Sequence, residues 1–146
     1  MKISAISTSM LLLMLAMTTT AISATATPLQ VETLGNVAYI SGGVGSDERD
    51  RLIAMSHNDN LRLSFALPDG EFLGGAQVNI KDNDGNEILE APANGPLFFA
   101  KLPVGNYTVE ATTMGRTLAR TVTVPAKGQE PVYFIWRIEE QRQALR

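Results

Sequence analysis

Large apolar residues occupy every second position in the stretch Leu61-Arg62-Leu63-Ser64-Phe65-Ala66-Leu67. Successive side chains of a β-strand point to opposite faces of its sheet, so this spacing predicts a strand with one buried face. Pro68-Asp69-Gly70 follows directly and is typical of a turn. The stretch therefore indicates a β fold for the part of the chain that follows it.

Six more segments with strand character follow at regular spacing, and turn-forming residues separate them. About seven strands at this spacing are typical of a β-sandwich, so we predict an all-β, Ig-like sandwich with one short N-terminal helix. The last segment is apolar on both faces, which predicts a central or covered strand. The six segments contain Val78 with Ile80, Glu87–Ala91, Leu97–Leu102, Tyr107–Thr112, Thr117–Val124 and Val132–Trp136.

Residues 27–60 form a predicted lead-in to this sandwich. Val37–Ile40 has the composition of a short strand, and the glycines of Ser41–Gly45 favour turns. Ser46 suits the N-cap of a helix over Asp47–Met55, whose first turn carries acidic residues near the positive end of the helix dipole. The apolar residues expected to face the core from this helix are Leu52, Ile53 and Met55.

The chain begins with the features of a secretory signal peptide. Lys2 supplies a positive charge, Met10–Met17 is an apolar block, and Ala24-Thr25-Ala26 fits a cleavage site. The apolar block is shorter than the ~20 residues that span a bilayer, which disfavours an uncleaved anchor. We therefore predict a signal peptide over residues 1–26, cleavage after Ala26 and a periplasmic location. The sandwich should extend over residues 61–137, and a charged tail over residues 138–146.

Composition excludes several classes of function. The chain has 146 residues and a net charge of −3, which disfavours a protein that coats nucleic acid. It contains no cysteine, so disulfides, thiolate metal sites and thiol catalysis are excluded. It contains one histidine, so no site within one chain can use two imidazoles. We expect no cofactor and no metal.

Three segments resemble the carboxypeptidase regulatory-like domain. They are Gly75–Ile80, Asp84-Gly85-Asn86 and the run Phe99–Val109, whose central motif contains Leu102, Pro103, Gly105 and Tyr107. The resemblance implies a transthyretin-like Greek-key sandwich, in which Pro103 and Gly105 form a turn and Tyr107 places its ring in the core. It also implies an accessory or binding role, because most members of that family are not enzymes.

Two further resemblances bear on function. The upstream stretch Tyr39–Gly45, with the acidic helix after it, is similar to small exported proteins of Gram-negative bacteria. A hydrolase branch of the transthyretin-like fold needs several active-site histidines and a Tyr-Arg-Gly-Ser tail. This chain has a single histidine and ends in Gln143-Ala144-Leu145-Arg146, so we exclude that activity.

The charged helix and the loop after it are the predicted partner-binding segment. We expect a non-enzymatic binding or accessory module of the bacterial envelope, which contacts a protein partner through this segment. Because the segment is additional to the predicted sandwich, deletion of Ser41–Asn60 should leave a folded domain. The candidate contact residues are Asp47, Glu48, Arg49, Asp50, Arg51 and His57.

Several alternatives remain open at this point. An enzyme would need Asp47, Glu48, Asp50 and His57 to converge in one pocket. The backbone of Gly42–Gly45 could hold an anion, and Asp82–Asn86 could hold calcium weakly, although both are more typical of turns. The chain could also associate with itself through a sheet edge. A platform for carbohydrate would use Phe98, Phe99, Tyr133 and Trp136.

Overall fold

The computed structural model describes residues 28–137. The predicted signal peptide, its cleavage point after Ala26 and the charged tail over residues 138–146 lie outside the described residues. Within residues 28–137, no helix combines the length and the hydrophobicity that crossing a membrane requires.

The described chain forms nine strands and one helix. Seven of the strands follow the helix, as predicted, and two precede it. In chain order the elements are β1 (Glu32–Leu34), β2 (Val37–Gly42), α1 (Ser46–Met55), β3 (Leu61–Ala66), β4 (Gln77–Lys81), β5 (Glu87–Pro92), β6 (Leu97–Lys101), β7 (Gly105–Thr113), β8 (Arg116–Val124) and β9 (Glu130–Ile135).

The strands form two sheets that pack face to face. The first sheet has the order β1-β2-β6-β3-β9, and the second has the order β5-β4-β7-β8. Strand β9 pairs with β3 in parallel, whereas the other strand pairs in both sheets are antiparallel. The prediction of an all-β sandwich with one short helix is therefore confirmed.

Alternating side chains of each strand fill the main core between the sheets. Leu61, Leu63 and Phe65 of β3 are fully buried there, as their spacing predicts. The ring of Phe65 lies 5.9 Å from that of Phe134 and 6.0 Å from that of Trp136, measured between centroids. These distances fall in the range of favourable aromatic pairs, so the end of β9 is anchored by its inward side chains.

A second, smaller core forms on the outer face of the first sheet, which is the face that points away from the second sheet. Ile40, Leu97 and Phe99 lie on this face, and Leu52 of α1 packs on them with none of its surface exposed. The prediction that Ile53 and Met55 also face the core is wrong, because both are exposed. The helix therefore docks through a single buried leucine.

Two further expectations about the lead-in are corrected. The helix begins at Ser46, and Gly45 occupies the N-cap position without a side-chain cap, so Ser46 is not the cap. Strand β2 lies between β1 and β6 in the first sheet, and the sandwich therefore extends beyond the predicted boundary at residue 61. Ser41 and Gly42 belong to β2, and they cannot be deleted without shortening this strand.

Strand β9 is an edge strand and not a central one, which corrects the prediction for Val132–Trp136. Val132, Phe134 and Trp136 are buried in the main core. Tyr133 and Ile135 point to the outer face of the first sheet, where they are 63% and 46% exposed. The segment is apolar on both faces, yet only one face is covered.

Of the motif around Tyr107, the buried ring is as predicted, whereas Gly105 is the first residue of β7 and pairs with Val124. The Tyr107 ring is buried, and its hydroxyl donates a hydrogen bond of 2.6 Å to the carbonyl oxygen of Pro103. Burial raises the pKa of the Tyr107 hydroxyl, and the negative charge of Asp82 adds to this effect. The motif thus lies at one end of the sandwich, where the buried hydroxyl of Tyr107 has a hydrogen-bond partner.

The backbone at Gly95 lies so close to the backbone of Gly42 that only glycine fits at position 95. A Cβ atom at Gly95 would overlap the carbonyl oxygen of Gly42, whereas a Cβ at Gly74 would have its nearest neighbour at 3.5 Å, an ordinary contact. We expect Gly95→Ala to destabilise the fold by about 1–3 kcal/mol, the usual cost of overpacking. Thermal or urea unfolding measures this, with Gly74→Ala as the matched control. Equal stability of the two variants would contradict the close approach.

The side-chain amide of Asn60 forms two hydrogen bonds with the backbone of Leu102, as the backbone of a neighbouring strand would. Its amide Nδ2 donates to the carbonyl oxygen of Leu102 at 2.6 Å, and its Oδ1 accepts from the Leu102 amide at 2.9 Å. Asn60→Ala leaves both Leu102 groups without these partners, so we expect a loss of about 1–3 kcal/mol of unfolding free energy. Urea unfolding tests this against Asn58→Ala, because Asn58 is exposed. Similar losses in both variants would argue against the bridge.

Candidate functional site

The predicted contact residues on and after α1 differ in exposure. Asp47, Asp50, Arg51 and His57 are exposed, whereas Glu48 and Arg49 are half-buried. The exposed four are available to a partner, while the other two are engaged within the fold. The segment therefore contributes both a charged surface and structural contacts.

Glu48 holds the glycine-rich turn in place. Its Oε1 accepts a hydrogen bond of 2.9 Å from the backbone amide of Gly43. Glu48 is the third residue of the helix, a position from which a carboxylate commonly reaches back to the chain that enters the helix. The negatively charged group at the glycine-rich turn is thus the carboxylate of Glu48.

His57 lies at the opposite end of the helix. Its ring Nδ1 is 2.9 Å from the carbonyl oxygen of Ala54, so His57 caps the last turn. A helix rises about 1.5 Å per residue, which places residues 47 and 57 roughly 15 Å apart along its axis. Asp47 and Glu48 therefore do not converge with His57. Within residues 28–137, no three histidine, aspartate or glutamate side chains are grouped closely enough to hold a metal ion.

Two arginines lie against aromatic rings beside α1. The Cζ atom of Arg49 is 4.7 Å from the centroid of the Phe72 ring, and that of Arg62 is 5.7 Å from the centroid of the Phe99 ring. Both distances are typical of cation–π contacts. The Nε atoms of both arginines are buried and have no hydrogen-bond partner. These side chains are held by stacking and not by ion pairs.

Large apolar side chains are exposed next to these arginines. Tyr133 pairs with Ser64 across the β3–β9 ladder, and Ile135 pairs with Ala66. Phe72 forms a bridge with Ala66 from the other side and is 48% exposed. Neighbouring strands are about 4.8 Å apart, so these residues form a continuous surface. We call it the outer-face patch, which consists of Arg49, Arg62, Phe72, Tyr133 and Ile135.

Of the patch residues, the sequence pattern pointed to Arg49 as a partner contact and to Tyr133 only as part of a carbohydrate platform. Val132–Trp136 suggested burial on both sides because all of its residues are apolar or aromatic. Pro131 was the available signal, because proline inside a sheet is confined to edge strands, strand starts or bulges. An edge position leaves one face of such a strand without a covering layer.

The predicted aromatic platform for carbohydrate does not form. Phe98, Phe99 and Trp136 are each at most 1% exposed, and Tyr133 alone reaches the surface. Phe98 stacks on Tyr39 in the main core with a centroid distance of 5.3 Å. The aromatic residues are used for packing, because a chain with few of them needs them there.

An acidic cavity of about 450 Å³ lies beside the start of the helix. The carboxylate of Glu32 accepts from the Tyr39 hydroxyl at 2.8 Å, and the Ser41 Oγ accepts from the backbone N–H of Asn94 at 2.9 Å. Burial raises the pKa of the Tyr39 hydroxyl, and its hydrogen bond to Glu32 and the charge of Glu32 contribute further. Each of these polar groups has an internal partner. The lining residues are Pro28, Leu29, Gln30, Glu32, Ser41, Val44, Glu48 and Asn94.

The possible calcium loop is a self-contained turn. The Oδ1 atom of Asp82 accepts from the backbone amides of Asp84 and Asn86, each at 2.9 Å. The amide of Gly85 also donates to the carbonyl oxygen of Asp82 at 3.1 Å. The carboxylate is thus occupied by the backbone of its own loop, which is the behaviour of a hairpin turn.

No family model and no curated protein sequence matches this chain. A function is therefore inferred from the surface itself. The outer-face patch is the feature that combines exposed aromatic and aliphatic side chains with arginines.

Removal of the Glu48 carboxylate should loosen the turn that leads into α1. Glu48→Ala deletes the acceptor for the Gly43 amide, and hydrogen bonds to charged groups contribute about 1.5–3 kcal/mol. We expect a loss of that size in urea unfolding, and a smaller loss for Glu48→Gln, whose amide oxygen still accepts. Asp50→Ala on the exposed face is the control. A fully stable Glu48→Ala variant would show that the carboxylate does not hold the turn.

Proposed function

We propose that this chain is a non-enzymatic, exported binding module that contacts a protein partner in the bacterial envelope through the outer-face patch. The observation that carries the proposal is the exposure of Tyr133, Ile135 and Phe72 on one continuous surface. Exposed apolar groups gathered in one area of a protein mark interaction sites far more often than scattered ones do.

The composition of the patch favours a protein as the ligand. Tyrosine and arginine are enriched among the residues that contribute most to protein–protein binding, and phenylalanine is enriched at interfaces. Arg49 is already stacked on Phe72, so a partner would meet a side chain that has lost much of its conformational freedom. A preordered surface of this kind binds at a lower entropic cost.

The exposed charges of the helix complete the proposed interface. Asp47, Asp50 and Arg51 are exposed on α1, the helix that also carries Arg49 of the patch, and His57 lies at the far end of α1. Charges at the rim of an interface mainly affect association rate and specificity. The predicted contact residues would therefore select the partner, while the outer-face patch supplies most of the affinity.

The proposed location and role rest on the sequence. The signal-peptide features of residues 1–26 support export, and periplasmic location follows from the likeness to small Gram-negative exported proteins. The resemblance to the carboxypeptidase regulatory-like domain supports an accessory role. Both inferences stay predictions until the exported chain is isolated.

Point substitutions test the proposal better than deletion of Ser41–Asn60. Leu52 covers Ile40, Leu97 and Phe99, and the deletion would expose all three to water. The deletion would also remove the Asn60 bridge to Leu102. Loss of binding in such a variant would report unfolding.

The experiment is crosslinking and affinity capture from periplasmic extract with the tagged protein. We expect one stoichiometric protein partner, whose capture falls at least tenfold in Tyr133→Ser and in Phe72→Ser, because each substitution removes an exposed anchor. The matched control is Thr121→Ser, on the outer face of the second sheet. Circular dichroism verifies that all variants remain folded.

Two results would contradict the proposal. One is the absence of a stoichiometric protein partner. The other is a partner that the Tyr133 and Phe72 variants capture as well as the control variant does.

A further inference from the structure

Strands β9 and β5 are opposite edges of the sandwich. Strand β9 ends the first sheet and β5 ends the second. The other edge strand of the second sheet, β8, lies beside β9, where the Trp136 Nε1 donates to the carbonyl oxygen of Arg116 at 3.2 Å. Because β5 and β8 lie at the two ends of the second sheet, β5 is on the side of the molecule far from β9.

The free edge of β9 presents backbone hydrogen-bonding groups. The amides of Glu130 and Trp136 donate to Asn60 and Ala66 on the β3 side. Amides along a strand alternate in direction, so those of Tyr133 and Ile135 point away from β3. Pro131 takes the same outward direction and has no amide proton, so pairing at this edge involves the C-terminal half of β9.

Arginines surround this half of β9. The Cζ of Arg120 lies 5.7 Å from the centroid of the Phe134 ring, and the Nη1 of Arg116 donates to the carbonyl oxygen of Arg137 at 2.9 Å. Among the residues of β8 and β9 the single acidic side chain is Glu130, at the opposite end of β9. Arg120 and Arg137 therefore place positive charge at this edge within the described part of the chain.

Strand β5 has the opposite charge. Glu87 and Glu90 are exposed on it, and the Asn79 amide donates to Glu87 at 2.7 Å. The hydrogen bond with Glu87 raises the pKa of Glu90, and the charge of Glu87 raises it further. Among residues 28–137 the one ion pair joins Lys81 and Glu110. The carboxylates of Glu87 and Glu90 therefore form no ion pair with a cation in this part of the chain.

We propose that the free edge of β9 in one copy of this chain pairs with the free edge of β5 in a second copy. Like charges repel across two β9 edges and across two β5 edges, whereas β9 and β5 attract each other. Charge complementarity therefore selects a second copy in a head-to-tail arrangement. Such a contact joins two different surfaces, so it builds an open chain of copies, or a ring where the rotation between copies closes. This inference goes beyond the proposed partner binding. It uses the backbone of Tyr133 and Ile135, whose side chains belong to the outer-face patch, together with charged residues outside that patch.

The first test is sedimentation velocity of the purified protein over a wide concentration range. We expect the mean mass to rise with concentration and to fall as salt is added, because the contact is electrostatic. Arg120→Gln with Arg137→Gln should weaken association at least tenfold, and so should Glu87→Gln with Glu90→Gln. The control is Glu71→Gln with Lys101→Gln, which neutralises two exposed charges outside β5 and β9. A monomer at every concentration overturns the proposal.

The second test distinguishes head-to-tail from symmetric pairing. The arginine variant keeps the β5 edge and the glutamate variant keeps the β9 edge, so each alone should stay largely monomeric. An equal mixture should form a heterodimer that does not grow further. Failure of the mixture to form that heterodimer overturns the proposal. A symmetric dimer of the unaltered protein also overturns it.

The third test shows whether the backbone takes part. Ile135→Pro removes an amide that points to the free edge, and Ile135→Ala removes the same side chain while keeping that amide. We expect the proline variant to associate at least tenfold more weakly than the alanine variant. Equal association of the two variants would overturn strand pairing. Circular dichroism excludes loss of the fold, and the mixing test remains decisive if Ile135→Pro unfolds.

Discussion

The structure depends on the burial of one face of β3. Leu61, Leu63 and Phe65 are completely excluded from water, and β3 pairs with β6 on one side and with β9 on the other. Burial of each such side chain stabilises the fold by about 1.5–3 kcal/mol. A shift of register by one residue would move all three to the other face of the sheet. The positions of both neighbouring strands are therefore fixed by this alternation.

The outer-face patch exists because one short helix cannot cover a five-stranded sheet. Helix α1 has ten residues and is about 15 Å long, and it docks over β2 and β6 through Leu52. The helix does not cover the outer face of β9, so Tyr133 and Ile135 remain exposed there, whereas Ser64 on the same face of β3 is buried. Glu48 and His57 hold the two ends of the segment through backbone contacts. Of the four residues that an acid–base site would need, Glu48 and His57 thus make structural contacts at opposite ends of the helix, and the proposed binding surface lies beside them.

Opposite charge on the β9 and β5 edges also has a protective effect. Charged residues on an edge strand prevent uncontrolled pairing with other sheets. Arg120 near β9 disfavours the pairing of two β9 edges, and Glu90 on β5 disfavours the pairing of two β5 edges. The same arrangement leaves one pairing that is electrostatically favourable. Protection from aggregation and directed association are therefore compatible in this fold.

The sequence alone determined the class of the fold, the seven strands after the helix and the buried position of Tyr107. These features depend on local patterns, namely period-two alternation, turn residues and a short motif. The sequence did not reveal that β2 lies inside the first sheet, that β9 is an edge or that Ile53 is exposed. Sheet order is decided by contacts between distant segments, such as β3 with β9, and no local pattern records them. The tertiary structure alone therefore decided which apolar residues remain at the surface, and with them the location of the candidate site.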